Sequence, residues 1–179
     1  LGGRTLILTH TNAGVAVIKR RLQSFGATPL SATVATICSW SEKLSSAYPV
    51  LSGMDEGSSY RDDGHFEMSV SGVVRLCSHD AIASVLASSY SLVLIDEYQD
   101  CDIVQHQLAV ALTSIIGDVV VFGDRLQRIF DFGKIPFPDW ESDVCTCFIP
   151  FTGIVPKPYR WEQSNPELGR WLIGEVRPA

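Results

Sequence analysis

Leu92–Asp102 reads LVLIDEYQDCD, an apolar run that passes directly into Asp96, Glu97 and Asp100, with Tyr98 and Gln99 between them. Carboxylates at the tip of a buried strand lose hydration and need a compensating partner. A hydrated Mg²⁺ beside a nucleotide's phosphates is one such partner, taking one carboxylate directly or through water. The adjacent acid, projecting from the next backbone position, could then orient or deprotonate an attacking water. Asp96 suits the metal and Glu97 the general base. A plainer reading stays open on this stretch alone, in which the acids decorate a helix N-terminus and favour its dipole. A second stretch, Val119–Phe132, has the same construction: VVVFGDRLQRIFDF is an apolar strand followed by Gly-Asp, then Gln127, then Phe130 and Phe132.

The elements that must hold these residues alternate in type. Thr5–Thr9 is a short β-rich run, and Asn12 is placed to cap a helix whose Val15, Ile18, Leu22 and Phe25 recur at helical spacing before Gly26 stops it. Lys19, Arg20 and Arg21 fall on or beside its other face and read as a solvated surface. Thr33–Ile37 is a second strand, Trp40–Tyr48 a short helix ended by Pro49, and Asp80–Tyr90 a further helix. Ser91–Ile95 is the third strand, Asp102 caps a helix with Val104, Leu108, Ala111, Leu112 and Ile115 as its stripe, and Asp118–Phe122 is the fourth strand. Val144–Phe148 reads as a fifth, with Cys145 and Cys147 as small buried residues on one face. Ser164-Asn165-Pro166-Glu167 resembles a capping box with proline in the first turn, opening a last helix through Ile173. Ser52–Gly64, rich in Gly, Ser and Asp, reads as exposed, and the exposed insertion it belongs to is expected at about 51–78, where the pattern is weakest.

Strands apolar on both faces, alternating with amphipathic helices, make an α/β fold with a mostly parallel sheet covered on both sides. Ligands of such sheets bind at the carboxyl ends of the strands. Asp96 and Glu97 emerge at such an end.

Strand-IDEYQD, a helix, then strand-GD-x-x-Q resembles motifs II and III of the UvrD/Rep-type superfamily 1 DNA helicases. Around them, ILTHTNAGVAVIKRRL (Ile7–Leu22) resembles motif Ia, VATICSW (Val34–Trp40) motif Ib, and PYRWEQSNPELGRWL (Pro158–Leu172) motif IV, all in the family's order. The resemblance implies a RecA-like, P-loop NTPase-type domain spanning 1–179 and carrying motifs Ia to IV. It implies ATP and Mg²⁺ as cofactors, with Asp96 and Glu97 at the metal. Glu97 would activate the hydrolytic water, Gln127 would sense the γ-phosphate, and Arg160 would act as an arginine finger. Gln99 and Asp100 complete the family's D-E-x-Q-D and would link the nucleotide site to the DNA track.

For single-stranded DNA the family uses stacking aromatics and short polar groups on phosphates. By resemblance Thr9, His10, Thr11, Asn12, Thr36, Phe130 and Phe132 are the candidates. His10 stands where a Phe is usual, Phe130 where a Tyr is, and Phe132 where a Trp is. Phe130 also suits a core position beneath the motif III loop.

No G-x-x-x-x-G-K-[ST] cradle for phosphates occurs in the chain. The family pattern places it just upstream of Leu1 and a second RecA-like domain beyond Ala179, so the expectation is an N-terminally truncated piece that hydrolyses almost no ATP alone. The parent would be an ATP-dependent helicase or translocase moving on single-stranded DNA, with the remaining helicase domains as partners. An ATPase-inactive platform for DNA or protein is the alternative. A metal-dependent nuclease built on Asp96, Glu97, Asp100 and Asp124 is the third reading, and requires acids converging from several strands.

At 179 residues, 46% hydrophobic and 19% charged, the chain is long enough to bury a core and is not of disordered composition. A net charge of −6 excludes a protein basic all over, so any nucleic-acid surface must be local. Five cysteines without C-x-x-C spacing fit neither a disulfide framework nor a zinc site, and a reducing cytoplasm is the expected compartment. No apolar run has membrane-spanning length, so no membrane partner is expected.

Overall fold

A computed structural model of the chain describes residues 4–28, 30–54, 64–128, 135–151, 161–162 and 164–176. Residues 1–148 and 149–179 form two compact units.

In the first unit, β1 (Arg4–Thr9), β2 (Ala32–Thr36), β3 (Tyr90–Ile95) and β4 (Val119–Val121) make one all-parallel sheet in the order β2-β1-β3-β4. This is the RecA-like α/β arrangement expected. Leu8 pairs with Ala35 on one side and Ile95 on the other, so the tips of the three strands lie level. Central position explains why Leu6, Ile7, Leu8 and Thr9 are all buried, whereas edge strand β4 buries none of its three valines fully.

Helix α1 (Asn12–Ser24) packs on β1 and β2, with Val15, Ile18 and Leu22 half-buried. Two local expectations fail here. Thr11, not Asn12, is the cap, accepting the Gly14 N–H, and Phe25 lies past the last helical turn, exposed. Helix α2 (Ile37–Ala47) starts earlier than its apolar spacing suggested because Thr36 caps it. Pro49 opens a short helix α3 (Pro49–Ser52) at a position where its missing N–H costs nothing.

The exposed reading of 51–78 does not hold for the segment from His65 to Cys77. These residues form helix α4, which buries Val70, Val73 and Leu76 and packs on α2 and α6 (Ile103–Ile116). Gly72 lets the backbones approach, since a Cβ there would lie 2.7 Å from Ser45 Oγ. Residues 55–63 of the proposed insertion lie outside the described residues. Helix α5 (Asp80–Ser89) leads into β3. Asp102 caps α6 in a reciprocal box with Gln105, and α6 buries Leu108, Ala109 and Leu112. Helices α2, α4, α5 and α6 share one apolar core with the sheet.

The fifth strand is not formed. Asp139 accepts the Ser142 N–H and starts a wide helical turn over Trp140–Val144, continued by α7 (Cys145–Cys147). Cys147 is therefore exposed and Cys145 half-buried, not the two neighbours on a strand face that V-C-T-C-F suggested. In the second unit, Pro166 occupies the first turn of α8 (Pro166–Trp171), as expected, but the cap is Asn165, which accepts the Leu168 N–H, and not the Ser164 of the expected box. No single described helix is long and apolar enough to cross a membrane.

Candidate functional site

The sheet brings the motif-bearing strand ends together. The Asp96 N–H donates to Leu8 O at 2.9 Å, extending the β1–β3 ladder one step beyond the strand. The loop after β4 is clipped to the loop after β3: Phe122 N–H donates to Ile95 O and Tyr98 N–H to Phe122 O, both at 2.8 Å. Tyr98 then dives into the core, and its hydroxyl meets His106 Nδ1 at 2.8 Å. Between strand and anchor, Glu97 takes φ 57°, ψ 45°, the one described non-glycine residue at positive φ. That conformation costs about 1–2 kcal/mol for an L-residue, and it turns the Glu97 side chain to the exposed side of the strand tip.

From Glu97 a hydrogen-bonded line runs into the next loop. Gln99 Nε2 donates to Glu97 Oε2 at 2.6 Å, and Gln99 Oε1 accepts the Asp124 N–H at 2.9 Å. Asp124 Oδ1 accepts the Leu126 N–H at 3.1 Å, and Asp124 Oδ2 accepts from Gln127 Nε2 at 2.8 Å. Glu97 and Gln127, thirty residues apart in the chain, thus sit on one network. Gly123 makes the turn possible, because a Cβ there would lie 2.8 Å from the Trp140 ring and 3.2 Å from the Gln99 nitrogen. Beside Gln99 a cleft of about 180 Å³ is lined by Arg125, Arg128, Pro138 and Trp140. Arg125 pairs with Glu141, and the Arg128 guanidinium stacks 3.9 Å over the Phe137 ring.

Electrostatics at the tip are strained. Burial pushes the Asp96 carboxyl above the usual carboxylate range, and adjacent Glu97 pushes it the same way, while Arg21 and His10 pull it back. Asp100 is raised chiefly by burial, and its Oδ1 is buried with no hydrogen-bond partner among the described residues. A cation would relieve the Asp96–Glu97 repulsion. Among the described residues no group of three or more His, Cys, Asp or Glu is placed to hold a metal by protein ligands alone. That donor set fits Mg²⁺, which commonly takes one or two carboxylates and completes its shell with phosphates and water. It does not supply the converging acids that the nuclease reading requires.

The residues considered for DNA are distributed differently. Thr9 is buried, and Thr11 and Asn12 are exposed. The Thr11 hydroxyl caps α1, and the buried Thr36 hydroxyl accepts the Ser39 N–H at 3.0 Å to cap α2. His10 is half-buried with Nε2 3.4 Å from Cys101 Sγ. Burial lowers its proton affinity against the opposing pull of Asp100, Asp102, Glu97 and Asp96. Lys19, Arg20 and Arg21 are exposed, as a solvated face requires. Phe130, Phe132 and Arg160 lie outside the described residues. The feature that sequence reasoning missed is the use of Asp124 and Gln99 as connectors. The Gly-Asp-x-x-Gln spacing carried a signal for the first, since an Asp with a Gln three residues on can close a local turn.

Residues 53–134 match the family model described as the UvrD/REP helicase N-terminal domain. The match covers 82 of the 179 residues and supports a UvrD-type helicase fragment. The UvrD/REP match begins in the region whose motif pattern was weakest and contains Asp96, Glu97, Gln99, Asp124 and Gln127. The Thr9–Thr36 tips and Arg160 fall outside it. No curated protein matches the chain.

Proposed function

We propose that this chain is part of an ATP-dependent motor that couples ATP hydrolysis to movement along single-stranded DNA. The observation that carries the reading is the hydrogen-bonded line from Glu97 to Gln127, which joins the general-base candidate to the phosphate-sensing candidate across two loops. Asp96 would hold Mg²⁺, with Glu97 beside it. When bound, the ion supplies charge neutralisation on the phosphates.

The chain's own residues do the rest. Glu97, turned outward by its left-handed backbone, orients the attacking water and takes its proton. Gln127 contacts the terminal phosphate and passes its presence or loss to the motif III loop through Asp124. Arg160 places positive charge on the transition state. Phe132, Phe130 and His10 are assigned to base stacking and the exposed Asn12 to the backbone track, while Thr9 is buried and the Thr11 and Thr36 hydroxyls serve as helix caps. The five free cysteines suit a reducing cytoplasm.

Steady-state ATP hydrolysis by the natural full-length protein, with and without oligo(dT), tests this proposal. The expected result is Mg²⁺-dependent turnover stimulated at least about tenfold by the single strand, an increase of about 1.4 kcal/mol in transition-state stabilisation. DNA binding without any hydrolysis would replace the motor with the platform reading.

A further inference from the structure

Gln99 is 5% exposed, and both ends of its carboxamide are engaged: one by Glu97, the other by the Asp124 backbone. Their chemistry fixes its orientation. A backbone N–H only donates, so the amide oxygen must face Asp124, and the amide nitrogen is thereby aimed at a carboxylate. A flipped amide would set donor against donor at one end and oxygen against oxygen at the other. The bond to Glu97 is charge-assisted and occupies Oε2, which leaves Oε1 for another partner.

Glu97 needs this support because its backbone is in a costly region and its side chain is exposed. A carboxylate so placed would otherwise sample several rotamers. The same amide also grips the first residue of the turn that carries Gln127.

We infer that Gln99 is a positioning residue, a buried strut that holds one Glu97 oxygen and ties Glu97 to the Asp124–Gln127 turn. It touches neither nucleotide nor metal, and acts through Glu97. This inference rests on the hydrolytic reading of Glu97 given above.

The test is a double-mutant cycle in the natural full-length protein, reading ATP turnover and KM, with nucleotide affinity measured separately. Gln99→Met keeps the volume and removes both hydrogen bonds. It is expected to lower kcat by roughly 10–100-fold, the usual consequence of a misplaced reacting group, while KM and nucleotide affinity change less than about threefold. In a Glu97→Gln background the same substitution should cost nothing further, because residues that act as one unit are not additive. Gln99→Glu keeps the acceptor for Asp124 and sets a carboxylate against Glu97, so its loss should at least equal that of Gln99→Met. Should Gln99→Met not fold, Gln99→Glu carries the comparison alone. Wild-type turnover in either variant overturns the strut, as does a loss that multiplies with that of Glu97→Gln. Undiminished turnover in Glu97→Gln by itself would instead remove the hydrolytic role of Glu97, and the strut with it.

Discussion

The tips of β1 and β3 are neighbours in the sheet, joined by the bond from Asp96 N–H to Leu8 O, yet they use their polar residues in opposite ways. After β1, Thr11 spends its hydroxyl on the first turn of α1, and after β2 Thr36 does the same for α2. Those side chains satisfy helix N–H groups that would otherwise lack partners. After β3 the first two residues are carboxylates, and neither caps the helix that follows. That task falls to Asp102, six residues further on. The threonine tips are explained by folding alone, while the acid tip costs desolvation, like-charge repulsion and a left-handed backbone. The proposed Mg²⁺ would offset that cost.

Five substitutions would break or sharpen this contrast. The largest effect is expected from Gly123→Ala, which inserts a Cβ between the Trp140 ring and the Gln99 backbone. Overpacking of this kind costs about 1–3 kcal/mol, and denaturant unfolding should show it together with loss of the Asp124 turn. A neutral Gly123→Ala would mean that the two loops are not clamped.

Next come the caps: Thr36→Ala should cost about 0.5–2 kcal/mol, and Thr11→Ala should fall at the low end of that range because its site is exposed. If either variant kept its melting temperature but lost affinity for single-stranded DNA, that hydroxyl would be a ligand contact and not a cap.

Glu97→Gly should act in the other direction, stabilising the fold by about 1 kcal/mol because glycine adopts φ 57° without penalty. Destabilisation would show that the strut contributes more to folding than the backbone costs.

The smallest effect concerns Asp96. Its carboxyl is raised in the folded state, so the native form holds the proton more tightly than the unfolded chain. Stability therefore falls as pH rises through the carboxylate range and stays lower above it. In metal-free buffer, Asp96→Asn should melt slightly above wild type at pH 7, with the gap closing towards pH 3. A gap independent of pH would remove ionisation of Asp96 as the source of strain.

Much of this arrangement was legible in the sequence because it is local. The Asp102 cap and the Pro166 start of the last helix are short-range signals, and the structure has both. The apolar runs into IDE and GD likewise placed both loops at the ends of strands. Helix α4 was obscured because Ser69 and Gly72 on its buried side look like loop residues. They are there because α4 lies close to α2, where the Ser45 hydroxyl donates to Ser69 O at 2.7 Å. The segment Val144–Phe148 alternates like a strand, but the Asp139 cap upstream commits it to a helical turn. The Gln99–Asp124 bond joins residues twenty-five apart, and no periodicity encodes a contact that depends on how two loops meet.

The most direct measurement is turnover against nucleotide binding in Glu97→Gln, made in the natural full-length protein. Removing the carboxylate charge keeps the side-chain shape and a hydrogen-bonding oxygen. ATP affinity is expected to stay within about threefold of wild type, while hydrolysis falls by roughly 10²–10⁴-fold, the range attributable to a general base. Turnover that survives the substitution would contradict the role assigned to the acid at the tip of β3.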